Sequence, residues 1–169
     1  MKFIFDFDDV LFHTTQRRKE HLYPILEKAG ISLKDMDDYY EESLKGPFSM
    51  RNFLAHFSLK EELYEEIMFN NKNFLNKKMV ELVKKLGKSN CFIVTYGDKE
   101  FQLDKIKRTG IVPLFLRIIT TQGSKKEAVE KICAKHRNES VFFIDDKVQN
   151  FEDLDFKKYP NLKTFLYDE

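Results

Sequence analysis

The chain has 169 residues, a length that fits one domain or a compact core carrying an inserted subdomain. Its 29 Lys and Arg nearly balance 28 Asp and Glu for a formal net charge of +1, so no overall field favours nucleic acid or a membrane surface. With 17 Phe and no Trp the interior is predicted to be phenylalanine-packed, and the two cysteines, Cys91 and Cys133, lack metal-ligand spacing and read as buried thiols.

The opening MKFIFDF lacks the basic region, long apolar stretch and small-residue cleavage site of a secretory leader, and no apolar run is long enough to span a bilayer. A cytoplasmic protein is the expectation. Residues 2 to 7 read as a central parallel strand because both faces are apolar. Directly after it Asp6, Asp8 and Asp9 crowd together, and three like charges persist where a cation or a proton occupies the cluster.

From Thr14 to Gly30 a helix is predicted, with Thr14 or Thr15 as cap and a kink at Pro24. Residues 33 to 45 give a second, acidic helix that stops at Gly46-Pro47, and Met50 to Phe57 a short third one. Ser58 with Glu61 spells a capping box for a longer helix through Leu63, Ile67 and Phe74. No strand pattern occurs from 13 to 79. Asn76 then caps a helix whose apolar face is Met79, Val80, Leu82, Val83 and Leu86 and which stops at Gly87. From there strand and helix alternate: CFIVT (91 to 95), a helix over 98 to 110, LRIITT (116 to 121), a helix over 124 to 137, VFFID (141 to 145), a short helix within 147 to 158, and LKTFLY (162 to 167).

Alternation from residue 79 onward calls for a parallel α/β sheet covered on both faces by right-handed crossovers. The division that follows is an α/β core of 1–12 and 80–169, with an all-helical cap subdomain of 13–79 leaving directly after the carboxylate loop and standing over the strand ends. Ligands of open α/β sheets bind outside the carboxyl ends of the strands, where Asp6, Thr95 and Asp145 stand.

Those residues form an ordered set: DFDDV (6 to 10), FIVT (92 to 95), SKKEAV (124 to 129) and FFIDD (142 to 146). The set resembles the four motifs of the haloacid dehalogenase superfamily of phosphohydrolases, D-x-D-x-[TV], a strand-ending Thr or Ser, a Lys, and paired acids. The resemblance implies a Rossmann-like three-layer core with strand order 3-2-1-4-5 plus a helical cap. It further implies an aspartyl-phosphate mechanism with Asp6 as nucleophile, Asp8 as general acid and base, Thr95 holding a phosphoryl oxygen, and Lys125 neutralising charge. Lys126 competes with Lys125, although the resemblance favours Lys125, since the motif lysine of family members stands four residues before an apolar helix position, here Val129. A hard cation, Mg²⁺, would take Asp6, the Asp8 main-chain carbonyl and Asp145, with Asp146 either a further ligand or a support behind the ligands. Tyr96 and Gly97 follow Thr95 at the substrate position. Arg51, in a segment (44 to 58) similar to the cap loops of relatives, is the candidate substrate contact; Arg17, Arg18 and Lys19 are candidates for the entrance.

The function expected is a Mg²⁺-dependent phosphatase of a small phosphomonoester, with no nucleic-acid or membrane partner. Phosphotransfer to a second hydroxyl, or a silent binding role on the same scaffold, are the alternatives. A phospho-receiver domain uses similar groups, but in another order and without an inserted helical block.

Overall fold

The structure, a computed structural model, describes residues 1–43 and 46–168. Five strands, β1 (Lys2–Phe5), β2 (Cys91–Tyr96), β3 (Arg117–Thr121), β4 (Val141–Asp145) and β5 (Leu162–Leu166), form one all-parallel sheet in the order β3-β2-β1-β4-β5. β1 is central, as its apolar faces required. Phe5 pairs with Ile93 on one side and Ile144 on the other, so Asp6, Thr95 and Asp145 leave the sheet at the same edge.

Between β1 and β2 the described residues form helices and no strand of the sheet. α1 (Thr14–Arg17) widens into a π turn over Arg18–Leu22 and continues as α2 (Tyr23–Lys28). The widening is where Pro24 acts: its ring lacks an N–H and crowds the carbonyl four residues back, so the preceding turn opens. α3 (Leu33–Ser43) follows, and the predicted helix end at 44 and 45 lies outside the described residues. α4 (Met50–His56) and α5 (Glu62–Met68) complete the block, which packs its own core around Leu26, Met36, Phe53 and Ile67.

The sheet is covered by α6 (Lys77–Leu86) and α7 (Lys99–Thr109) on one face, and by α8 (Lys126–Lys135) and the short α9 (Gln149–Glu152) on the other. Alternation along β1 sends Ile4 to the α8 side and Phe5 to the α6 and α7 side. Asn76 caps α6 by accepting from Met79 N at 3.2 Å, and the apolar stripe behind that cap buries Met79 and Val83. Such a residue contributes about 1.5–3 kcal/mol by burial, so Val83→Asp alone would unseat the helix. Both cysteines are free and buried.

Three local expectations are corrected. Ser58 makes no capping box: it takes a positive φ of 53°, and α5 opens at Glu61 without a side-chain cap. The helix does not run to Phe74, because Asn70 turns left-handed after Met68 and a 3₁₀ turn takes Asn71–Phe74. The break is held by Arg17, whose buried guanidinium donates to Ile67 O and, at 2.7 Å, to Asn71 Oδ1. Finally, Thr14 and Thr15 cap no helix. Asp9 does that work: its carboxylate accepts from Thr15 N at 2.9 Å and Thr15 Oγ1 at 2.8 Å.

Candidate active site

The carboxyl edge of the sheet and the underside of the helical block enclose a cavity of about 330 Å³. Asp6, Asp8, Thr95 and Lys125 line it, and Asp145 and Asp146 lie beside Asp6. Lys125 is buried as the residue leading into α8, with its ammonium 2.8 Å from Asp6 Oδ1 and 2.7 Å from Asp145 Oδ2. Lys126 points elsewhere, to the Asp153 carbonyl and to Glu130 at 3.5 Å. The spacing to Val129 therefore selected the lysine that faces the carboxylates.

Burial pushes the Asp6 carboxyl up to about 7; Lys125 opposes this, while Asp145 and Asp8 add to it. For Lys125 burial works against the charge, but Asp6 and Asp145 outweigh it and hold the ammonium above its ordinary range. Both hydrogen bonds to Asp6, from Phe7 N at 2.7 Å and from Lys125, fall on Oδ1. Its Oδ2 carries none among the described residues, so it is the oxygen available for attack or ligation.

Whether these residues fit a divalent cation can be tested on their own atoms. Asp6, Asp145 and Asp146 offer oxygens that all lie within 4.8 Å of one another, near enough for the three carboxylates to converge on one ion. Asp146 Oδ1 is buried with no hydrogen-bond partner among the described residues, and burial raises the Asp146 carboxyl above its ordinary value. An orphaned buried carboxylate oxygen costs free energy unless something binds it. The donor set is all oxygen and suits a hard cation.

Asp8 sits in a different environment. Its carboxylate accepts from Lys105 Nζ at 2.5 Å, Gln102 Nε2 at 2.8 Å and Thr14 Oγ1. Burial alone would raise it, yet the Lys105 ammonium and these hydrogen bonds outweigh burial and hold it down at about 2. Asp8 is thus an ionised group beside one that keeps its proton near neutrality.

Of the expected substrate contacts, Tyr96 and Gly97 line the cavity and Arg51 does not. The Arg51 guanidinium pairs with Glu61, lies 3.7 Å from Glu100 and stacks 4.4 Å over Tyr64, because those acids flank it on neighbouring elements. Gly97 lines the cavity, but its N–H donates to Thr121 O at 2.9 Å and is not offered to a ligand. What Gly97 supplies is space: at a φ of 145°, a Cβ there would stand 2.8 Å from Gln102 Cγ. Tyr96 lies at the rim, 40% exposed, and its carbonyl accepts from Gln102 Nε2 at 2.7 Å. Of the basic run, Arg17 and Arg18 line the cavity and Lys19 is exposed.

Sequence reasoning missed Lys105 and Gln102. They stand three apart on the buried face of α7 with Ile106 and Thr109, a polar face turned inward. The available signal was position, seven and ten residues beyond the strand-ending Thr95.

The sheet order, the helical block leaving after β1 and the acids at the strand ends together constitute the haloacid dehalogenase-like fold. A candidate haloacid dehalogenase-like hydrolase of Burkholderia xenovorans LB400 superposes with a TM-score of 0.74 at 16% identity, over 97% of this chain and 80% of that one. A hydrolase of Streptococcus pneumoniae TIGR4 gives 0.59 at 20% identity, over 99% and 92%. The candidate HAD-hydrolase YfnB of Bacillus subtilis, in a magnesium-bound form, gives 0.57 at 18% identity, over 96% and 84%. No family model and no curated protein matches the chain by sequence. Among the described residues no helix is long and apolar enough to cross a membrane.

Proposed function

We propose that the chain is a Mg²⁺-dependent phosphomonoester hydrolase of the haloacid dehalogenase kind, acting on a small phosphorylated metabolite through an aspartyl phosphate. The observation that carries the reading is Lys125, whose buried ammonium bridges Asp6 and Asp145 beside the unpartnered Asp146 oxygen. Magnesium held by Asp6, the Asp8 main-chain carbonyl, Asp145 and Asp146 would neutralise charge on the phosphoryl oxygens and on the nucleophile.

Asp6 Oδ2 attacks phosphorus in line, the bond from phosphorus to the leaving oxygen breaks, and Asp6 carries the phosphoryl group. Thr95 Oγ1 donates to a phosphoryl oxygen and Lys125 offsets the charge gathered there. Asp8 gives a proton to the leaving oxygen and later takes one from the water that hydrolyses the acyl phosphate. Since Lys105 holds Asp8 as a carboxylate, that proton comes from the ammonium against it at 2.5 Å and returns there. The helical block serves as a cap that keeps bulk water from this exchange, with the core in 1–12 and 80–169.

The test is turnover of an aryl phosphate with and without Mg²⁺, in the wild type and in Asp6→Asn. Hydrolysis that needs the metal and vanishes in the folded variant supports the reading. Turnover undiminished in Asp6→Asn removes Asp6 from the chemistry and the reading with it.

A further inference from the structure

Among the described residues, the helical block contributes two charged side chains to the cavity, Arg17 and Arg18, and no acid. Besides Thr14, Tyr40 and Gly46, its lining there is the apolar Leu22, Phe48 and Met50. Arg17 is committed: its donors hold Ile67 O and Asn71 Oδ1, and burial lowers its guanidinium to about 10. Arg18 is not. Nearby Arg51 pairs with Glu61, and Arg108 with Glu65 and Asp104, whereas Arg18 has no carboxylate or hydrogen-bond partner among the described residues.

Arg18 nevertheless has a fixed place. Its guanidinium carbon stands 4.3 Å over the ring of Tyr40, which is also part of the cavity wall. Stacking uses the face of the guanidinium and leaves the N–H edge free, and that edge matches a carboxylate or phosphate in a two-pronged contact. The residue also opens the π turn, and an irregular turn in a helix is a frequent mark of a functional position. Of the acids that line the cavity, Asp6 is matched by Lys125 and Asp8 by Lys105, while Asp9 accepts from Thr15, and none of the three pairs with Arg18. Among the described residues, the cation on the roof therefore has no paired anion.

We infer that the substrate carries a second anionic group, a carboxylate or a further phosphate, joined by a short carbon segment to the transferred phosphoryl group and seated on the Arg18 edge. The inference rests on the phosphohydrolase reading, which places the transferred group at Asp6. It makes the apolar lining the contact for the carbon segment and Arg18 the residue that separates acidic phosphomonoesters from neutral ones.

The experiment is calorimetric binding of probes that cannot be hydrolysed, in Mg²⁺: phosphonoacetate and methylenediphosphonate, each with two anionic ends, against ethylphosphonate with one. The wild type should bind at least one double anion about tenfold more tightly than ethylphosphonate, and Arg18→Gln should bring that ratio towards one. Arg18→Lys, which keeps charge but loses the planar fork, should recover part of the ratio. Whichever double anion has the larger Arg18-dependent gain identifies the second group as carboxylate or phosphate. Equal binding of all probes by the wild type, or a ratio that survives Arg18→Gln, overturns the inference. An equal loss for every probe in Arg18→Gln also overturns it, by assigning Arg18 to the transferred phosphate. Failure of the phosphohydrolase reading has a separate signature, double-anion binding without turnover of any phosphomonoester.

Discussion

Lys105 Nζ stands 2.5 Å from Asp8 Oδ1, and the two sides of that pair are not buried alike. The lysine side chain is 5% exposed and lies among the rings of Phe7, Phe12 and Phe101, while Asp8 is 23% exposed and has Gln102 and Thr14 besides. Removing one partner of a buried pair leaves the other uncompensated, and the loss is larger when the deeper charge is stranded.

Asp8→Asn should therefore cost about 3 kcal/mol of unfolding free energy, and Lys105→Met clearly less, with the double variant recovering about 1–2 kcal/mol of the sum. Urea denaturation near neutral pH measures all three. The pair also has a pH signature. Asp8 titrates at about 2 when folded against an ordinary 3.8, so its contribution is complete above 3.8 and is lost as pH falls towards 2. Lys105→Met should lose less stability than the wild type over that interval. A Lys105→Met variant weaker than Asp8→Asn would contradict the assignment of the lysine as the deeper charge.

Asp6 gives the opposite sign. Folded, it keeps its proton up to about 7; unfolded, it loses it near the ordinary 3.8. The native state holds the extra proton between those values, so without divalent cations this group's contribution to stability falls as pH rises from 3.8 to about 7. A cation bound through Asp6 must displace that proton, and its apparent affinity should rise about tenfold per pH unit below 7. Millimolar Mg²⁺ should thus raise the melting temperature more at about pH 8 than at about pH 6. Asp6→Asn should melt higher than the wild type at the upper pH in chelator and gain little from the metal. Equal metal-induced shifts at both pH values would exclude Asp6 as a ligand.

What the sequence revealed, and what it hid, follows from how each residue signals its place. Asp6, Thr95 and Asp145 end apolar strand runs, so chain order and strand register were enough to bring them to one edge. Lys125 was favoured over Lys126 through the resemblance, whose motif lysine stands four residues before an apolar helix position. Lys105 and Gln102 escaped because α7 turns a polar face inward while Leu103 is 36% exposed, inverting the pattern on which periodicity arguments rest. Arg51 was misplaced for a related reason: nothing local told that Glu61 and Glu100 would converge on it from other elements. Long-range ion pairs leave no mark in a single sequence.

Gly97 offers a test of that hidden layer. Alanine there must adopt a φ of 145° and bring its Cβ to 2.8 Å from Gln102 Cγ and 2.9 Å from Nε2. The backbone strain alone is about 1–3 kcal/mol, and the contact displaces the amide that ties Asp8 to the Tyr96 carbonyl. Gly97→Ala should reduce kcat/KM by about tenfold, as a residue tied to Asp8 is moved. Adding Gln102→Ala removes the clash, so the double variant should be more stable to urea than Gly97→Ala alone. Strict additivity of the two stability changes would show that the glycine is not there to admit Gln102.

Lys125 and Lys126 are adjacent, and their substitution by methionine should separate them sharply. Lys126 is 41% exposed and holds one backbone carbonyl and Glu130, so Lys126→Met should change stability by no more than about 0.5 kcal/mol. Lys125 is 3% exposed between two buried carboxylates, and Lys125→Met leaves them facing each other without a cation. The cost should be about 3–5 kcal/mol at about pH 8, where Asp6 is ionised, and smaller at about pH 6, where Asp6 keeps its proton. Added Mg²⁺ should restore part of the loss at the higher pH by replacing one positive neighbour of Asp6 with another, a rescue that Lys126→Met has no reason to show. Melting curves at two pH values, with and without the metal, decide the matter: a pH-independent loss in Lys125→Met would mean that the lysine fills space rather than balances charge, and the bridge between Asp6 and Asp145 would lose its place in the mechanism.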